Sequence, residues 1–301
     1  MGPERLTVAT DLLDIAVERW GAPDGDAILL LHGFPFDPRS FDRVAPRLAE
    51  AGMCVIVPYL RGFGPTRFRS AATMRSGQQT ALADDARALL DAMQIDRALV
   101  VGFDWGGRAA CILALLWPER VRGLLAVGGY LVQDLTDPTR PASGAIEQRL
   151  WHQYYLASER GRRALAETPR DICLYLRRQW SPSVDEALFA ATAQSFANPD
   201  FAAVAHHSYA HRIGAAPGDP RYAALDAALL PPGPIAVPSF VLTGDGALSG
   251  GSLGGHDRFT HLLGIRRAQG AGHDPAAEAP DDFVAAVFEL RAATTLRSIP
   301  D

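Results

Sequence analysis

Short, uninterrupted apolar runs punctuate the first half of this chain of 301 residues, at positions 27–31, 54–57, 98–101 and 124–127. Each has the length of a strand and lacks the alternation of a half-exposed one, which predicts strands buried on both faces. Between them apolar residues recur at helical spacing, as Leu82, Leu89, Leu90 and Met93 do within 80–93, and again over 106–117, closed by Pro118. Strand and helix in alternation predict an α/β class, a mostly parallel sheet with helices on its faces. Over 134–230 only helix-like segments follow, broken by Pro141, Pro169, Pro182, Pro199 and Pro220. After Pro231-Pro232-Gly233-Pro234 a strand returns at 238–243 and a helix at 281–291. The expected organisation is a core formed by residues 1–133 and 231–301, interrupted by a helical cap at 134–230.

Composition narrows the chemistry. At 48% hydrophobic and 21% charged the chain sits far from disordered sequences, and its net charge of -5, without a basic cluster, offers nucleic acid no footprint. All 29 basic residues are arginine, which removes Schiff-base, pyridoxal-aldimine and phosphate-loop lysine chemistry. Cys54, Cys111 and Cys173 stand far apart in apolar surroundings and read as buried thiols of a reducing compartment. The N-terminus lacks a basic stretch followed by an apolar run, and no segment approaches 18 apolar residues, so the expected setting is the cytoplasm, without a membrane anchor.

The chemistry concentrates at Gly102-Phe103-Asp104-Trp105-Gly106-Gly107, which leads from a predicted strand through a sharp turn into a helix with glycine on either side of Asp104. This is the spacing of a nucleophile elbow, with aspartate at its centre. A carboxylate attacking an ester would give an anhydride. It suits displacement at a saturated carbon of an epoxide or a carbon–halogen bond, followed by hydrolysis of the enzyme ester. That second step needs an oxyanion hole and a general base. His32-Gly33-Phe34-Pro35 has the form of an oxyanion loop, offering the Phe34 N–H beside that of Trp105, and His273 stands late in the chain as the candidate base. Asp245, directly after a predicted strand, is the expected acid behind His273, with Asp134 in reserve. His207 and His211 have a metal-compatible spacing but no further ligand beside them in sequence, so neither metal nor cofactor is expected. The serine-elbow pattern Gly250-Gly251-Ser252-Leu253-Gly254 has neither the strand nor the helix such an elbow needs and reads as a glycine-rich loop.

In these motifs, with Tyr59-Leu60-Arg61-Gly62-Phe63-Gly64 and Gly272-His273, the chain resembles the α/β-hydrolase superfamily, and within it the aspartate-nucleophile branch of epoxide hydrolases and dehalogenases. The resemblance implies two cap tyrosines donating to the epoxide oxygen. Tyr209 matches the second, whereas the first position falls on His152, with Tyr154 and Tyr155 as neighbouring alternatives. Haloacetate dehalogenases share His-Gly-Phe-Pro and a histidine like His152 but carry two arginines near the nucleophile. Arg108 matches one, and Trp105 replaces the other. The expected function is hydrolysis of an apolar epoxide to a vicinal diol through an ester on Asp104. The alternatives are a haloalkane or haloacetate dehalogenase and a non-catalytic receptor on the same scaffold.

Overall fold

The computed structural model describes residues 2–245 and 255–295; the Gly250–Gly254 pattern lies outside the described residues. Its strands are β1 (Glu4–Ala9), β2 (Leu13–Trp20), β3 (Asp26–Leu31), β4 (Met53–Pro58), β5 (Arg67–Phe68), β6 (Ala98–Phe103), β7 (Val121–Val127), β8 (Ser239–Thr243) and β9 (Leu262–Arg267). They form one sheet in the order β1-β2-β4-β3-β6-β7-β8-β9, with β5 on β2. From β4 to β9 neighbours are parallel, while β1 and β2 pair antiparallel. The continuous apolar runs have the expected cause: Leu29 and Leu31 of β3 enter one hydrophobic core, and Ile28 and Leu30 enter a second on the opposite face.

Helices α1 (Ala45–Glu50), α2 (Gln79–Ala92) and α3 (Asp104–Leu116) alternate with the early strands. Between β7 and β8 the chain runs through α4 (Gly144–Arg149), α5 (Trp151–Ala157), α6 (Glu159–Glu167), α7 (Pro169–Trp180), α8 (Glu186–Thr192), α9 (Phe201–Arg212) and α10 (Ala223–Ala228). Two helices close the chain, α11 (Pro275–Glu278) and α12 (Pro280–Thr295). Among the described residues no helix is long and apolar enough to cross a membrane. All three cysteines are free and buried.

Strand order reverses between β3 and β6: the chain leaves β3 for β4 on one side and returns to place β6 on the other. A crevice at the carboxyl ends of the strands is expected there. Arg61, fully buried, ties the loop after β4 to its surroundings. It donates Nε and Nη2 to the two oxygens of Asp85 on α2, each at 2.6 Å, and Nη2 also to the Tyr222 hydroxyl at 2.9 Å. Tyr59, just upstream, donates its hydroxyl to Glu18 at 3.2 Å.

Candidate active site

β6 ends at Phe103, and α3 begins at Asp104 itself, whose φ of 49° lies in the left-handed region that non-glycine residues avoid. The turn is possible because its flanks are bare. A Cβ on Gly106 would fall inside contact distance of the Leu31 carbonyl oxygen, and one on Gly102 would strike the Gly106 carbonyl. The strained turn lifts the Asp104 carboxylate to the strand ends. There Phe34 N–H donates to Oδ1 at 2.9 Å, and Nε2 of His273 lies 3.4 Å from Oδ2. Burial works against ionisation of Asp104, but His273, Arg212 and Arg108 outweigh it and hold the carboxyl well below the usual carboxylate range. The Trp105 N–H belongs to the first turn of α3, where backbone donors have no partner within the helix.

The loop carrying Phe34 is braced by His32. Its Nε2 accepts the Leu60 N–H at 3.1 Å, and its Nδ1 lies 3.1 Å from the Gly33 carbonyl oxygen. Burial pushes this imidazole down to about 4, so it is neutral at physiological pH.

His273 is set by its backbone. Its N–H donates to the Trp180 carbonyl at 2.8 Å, while Glu278 Oε2 accepts the N–H of Gly272 at 2.9 Å and of Asp274 at 3.2 Å. The ring meets Trp180 edge-on at 5.3 Å. The acid expected behind it lies elsewhere: Asp245 accepts from Arg267 Nε and, at 2.8 Å, from Gly270 N–H. Its carboxylate points along the outer strands, where a surface arginine outcompetes the site. Asp134, the reserve, is exposed and accepts from the hydroxyl and N–H of Thr136.

From the helical segment, α5 brings His152 and α9 brings Tyr209, their rings 5.8 Å apart. Burial pushes His152 down to about 4 and Tyr209 well above its ordinary value, so both are neutral hydrogen-bond donors. Tyr209 packs against Phe34 at 5.4 Å and Trp105 at 5.9 Å. Tyr154 and Tyr155 do not join them. Tyr154, two residues on and so on the opposite side of the helix, is 45% exposed and donates to Glu147, while Tyr155 packs on Trp151 beside a surface groove. His207 spends both ring nitrogens, Nδ1 accepting Gly77 N–H at 3.0 Å and Nε2 lying 3.0 Å from the Pro217 carbonyl oxygen.

Beside these groups lies a cavity of about 80 Å³; Tyr209, packed behind His152, is not among the residues that line it. Asp104, His273, His152 and Trp180 line it, and so do two guanidiniums, Arg108 and Arg212, where an apolar epoxide was expected. Arg212 and Glu278 were missed from sequence. Arg212 could have been found, since it lies three residues after Tyr209 and so shares its helix face. No local signal marks Glu278.

The model of the α/β-hydrolase fold family matches residues 26–245. An epoxide hydrolase of Caballeronia sordidicola is 34% identical over 126 residues, which are 42% of this chain and 37% of the relative. A fluoroacetate dehalogenase of a Burkholderia species is 31% identical over 159 residues, 52% of this chain and 49% of the relative. The chain thus spans less than half the length of these curated relatives. A crystal structure of a Klebsiella pneumoniae protein, described as a candidate epoxide hydrolase, superposes with a TM-score of 0.89 at 37% identity, covering 96% of this chain and 97% of that one. With a family match across most of the core and a solved relative that follows it nearly end to end, the chain belongs to the α/β-hydrolase fold family.

Proposed function

We propose that the protein is an epoxide hydrolase that works through a covalent ester on Asp104. The observation that carries this reading is the ionised Asp104 carboxylate held between Phe34 N–H and His273 Nε2 at the mouth of a buried cavity. Oδ2 of Asp104 attacks a ring carbon in line with its C–O bond. That bond breaks, its electron pair passes to the epoxide oxygen, and the Tyr209 hydroxyl, with His152 as second donor, supplies the proton. The result is a hydroxyalkyl ester and a phenolate. His273 then takes a proton from water, whose oxygen attacks the Asp104 carboxyl carbon while the N–H groups of Phe34 and Trp105 hold the oxyanion. Collapse expels the second alkoxide, which takes the proton from His273. The proton left on the Asp104 carboxyl restores the phenol, and a vicinal diol leaves. In this reading α4–α10 act as the cap, and Glu278 with the Trp180 carbonyl positions His273.

A second reading is a dehalogenase acting on a halogenated acid, in which Asp104 displaces halide. What favours it is the pair Arg108 and Arg212 on the cavity, together with the fluoroacetate dehalogenase among the relatives. A single turnover in water enriched in heavy oxygen separates the two. Diol release with label in Asp104 supports the first reading, and halide release with the same label moves the assignment to the second. Turnover that leaves Asp104 unlabelled overturns both, and no turnover on epoxides or halides leaves a receptor.

A further inference from the structure

We propose that the helical segment between β7 and β8 holds the oxyanion loop in place through Asp37, a positioning residue for the hydrolytic half-reaction. This rests on Asp104 being the nucleophile, but not on the choice between epoxide and halide. The loop after β3 is tied differently at its two ends. Upstream the core holds it: the His32 carbonyl accepts the Gly106 N–H at 2.9 Å, and His32 Nε2 accepts the Leu60 N–H at 3.1 Å. Downstream the helical segment holds it. The Asp37 carboxylate accepts the Ser195 hydroxyl on Oδ2 at 2.6 Å and the Thr192 hydroxyl on Oδ1 at 3.0 Å. Between the two ties lies a single turn, closed by the Phe36 N–H on the Gly33 carbonyl at 2.9 Å, and this turn carries the Phe34 N–H that reaches Asp104.

A buried carboxylate is a costly way to make such a tie. Asp37 is 2% exposed and, among the described residues, forms no ion pair. Arg39 gives it a backbone N–H at 2.9 Å but turns its guanidinium to Glu18 and Asp42. Burial pushes the Asp37 carboxyl up, and the Ser195 hydroxyl, the Arg39 N–H and charge and the Thr192 hydroxyl pull against it. What the two hydroxyls secure is geometry. Ser195 also accepts the Gly64 N–H on its carbonyl oxygen at 3.0 Å, and Asn198 donates to the Gly64 and Thr66 carbonyls at 3.0 Å and 2.7 Å, so residues 192–198 strap the loops after β3 and β4 together. The Phe34 ring is held from the same side, stacked on Phe201 of α9 at 6.1 Å. The two half-reactions use this turn unequally. In alkylation the carboxylate charge leaves Asp104, so the Phe34 N–H on Oδ1 gains no strength. In hydrolysis water adds to the carboxyl carbon, its proton goes to His273, and the carbonyl electron pair moves onto Oδ1, where a full charge develops in front of that N–H. Loosening Asp37 therefore slows breakdown of the ester and not its formation.

The test compares the unaltered full chain with Ser195→Ala, Thr192→Val and Thr192→Ser. Single-turnover mixing with propylene oxide and with chloroacetate, quenched for intact mass, gives the rates at which the ester on Asp104 forms and decays. Ser195→Ala and Thr192→Val should each slow decay by roughly tenfold, less than the roughly 10²–10³-fold that follows outright loss of an oxyanion donor. Formation should keep its rate. In the steady state kcat and KM then fall together and leave kcat/KM as it was, which a smaller folded fraction cannot do. Thr192→Ser, which keeps the hydroxyl, should behave as the unaltered protein. Equal slowing of formation and decay, or slowing of neither, overturns the proposal. Failure of the nucleophile reading looks different: the unaltered protein forms no ester with either substrate. Amide hydrogen exchange then decides the positioning by itself, since Ser195→Ala should speed exchange over residues 33–37 and leave residues 98–106 unchanged. Exchange unaltered in both stretches, or faster in both alike, overturns it.

Discussion

Asp104 carries its charge in a buried place because His273, Arg212 and Arg108 outweigh the cost of burial, and in the proposed mechanism His273 is the group whose removal separates the two half-reactions. His273→Gln is expected to leave alkylation intact and to slow ester hydrolysis by roughly 10²–10⁴-fold, the usual contribution of a general base. Intact-mass measurement after substrate addition should then show the protein heavier by one substrate. Next to it, Asp274 is fully buried. Desolvation, with the Glu278 charge beside it, pushes Asp274 up to about 7 from 3.8. Between those pH values the folded chain keeps a proton that the unfolded chain has released, so this group makes stability fall as pH rises from about 4 to about 7, with no further change above. Asp274→Asn keeps Oδ1 as acceptor for the Ala277 N–H and should remove that slope. It is expected to exceed the unaltered protein at about pH 8 by about 1 kcal/mol or more, read from melting midpoints on either side of the transition.

The strand-to-helix turn between β6 and α3 and the loop after β3 are one mechanical unit. The Gly106 N–H donates to the His32 carbonyl at 2.9 Å, and the Phe34 N–H closes back on Asp104. Gly106→Ala has no room to relax, because the obstructing atom is the Leu31 backbone rather than a flexible side chain. The cost should be about 1–3 kcal/mol, the range for overpacking, or more. Denaturant unfolding checks the stability, and loss of activity out of proportion to it would place the damage at the contact between the loop after β3 and Asp104. The serial pattern of apolar runs and helical spacings was enough to locate β3, β4, β6, β7, β8, α2 and α3. It missed β1, β2, β5 and β9: β1 and β9 are half-exposed edge strands, β2 has its apolar residues interrupted by Asp14, Glu18 and Arg19, and β5 has only two residues.

Across the whole molecule, Arg61 joins the loop after β4, the helix α2 and Tyr222 ahead of α10 through one buried ion pair. Arg61→Met strands the Asp85 charge and is expected to cost about 3–5 kcal/mol, while Arg61→Met with Asp85→Leu should recover most of it; equal losses in denaturant titrations of the two variants would refute that account. The site depends on the same long-range assembly. Asp104, Phe34, Trp105 and His273 were legible in the chain because a sharp turn, a glycine-flanked loop and a late histidine each impose a local pattern that survives without coordinates. The partner of Asp245 was not legible: nothing near it in sequence says that Arg267, 22 residues on, will take its carboxylate. Nor was the fate of Tyr154 and Tyr155, two and three residues from His152 yet turned off the cavity. Local chain order thus determined the α/β architecture, the elbow and its aspartate, because hydrophobic period and backbone sterics act within a few residues. Which side chains of α5, α7 and α9 meet Asp104, and that two of the charges facing it are Arg108 and Arg212, was decided only by the packing of the helical segment on the strand ends, since burial and Coulomb forces act between groups far apart in sequence.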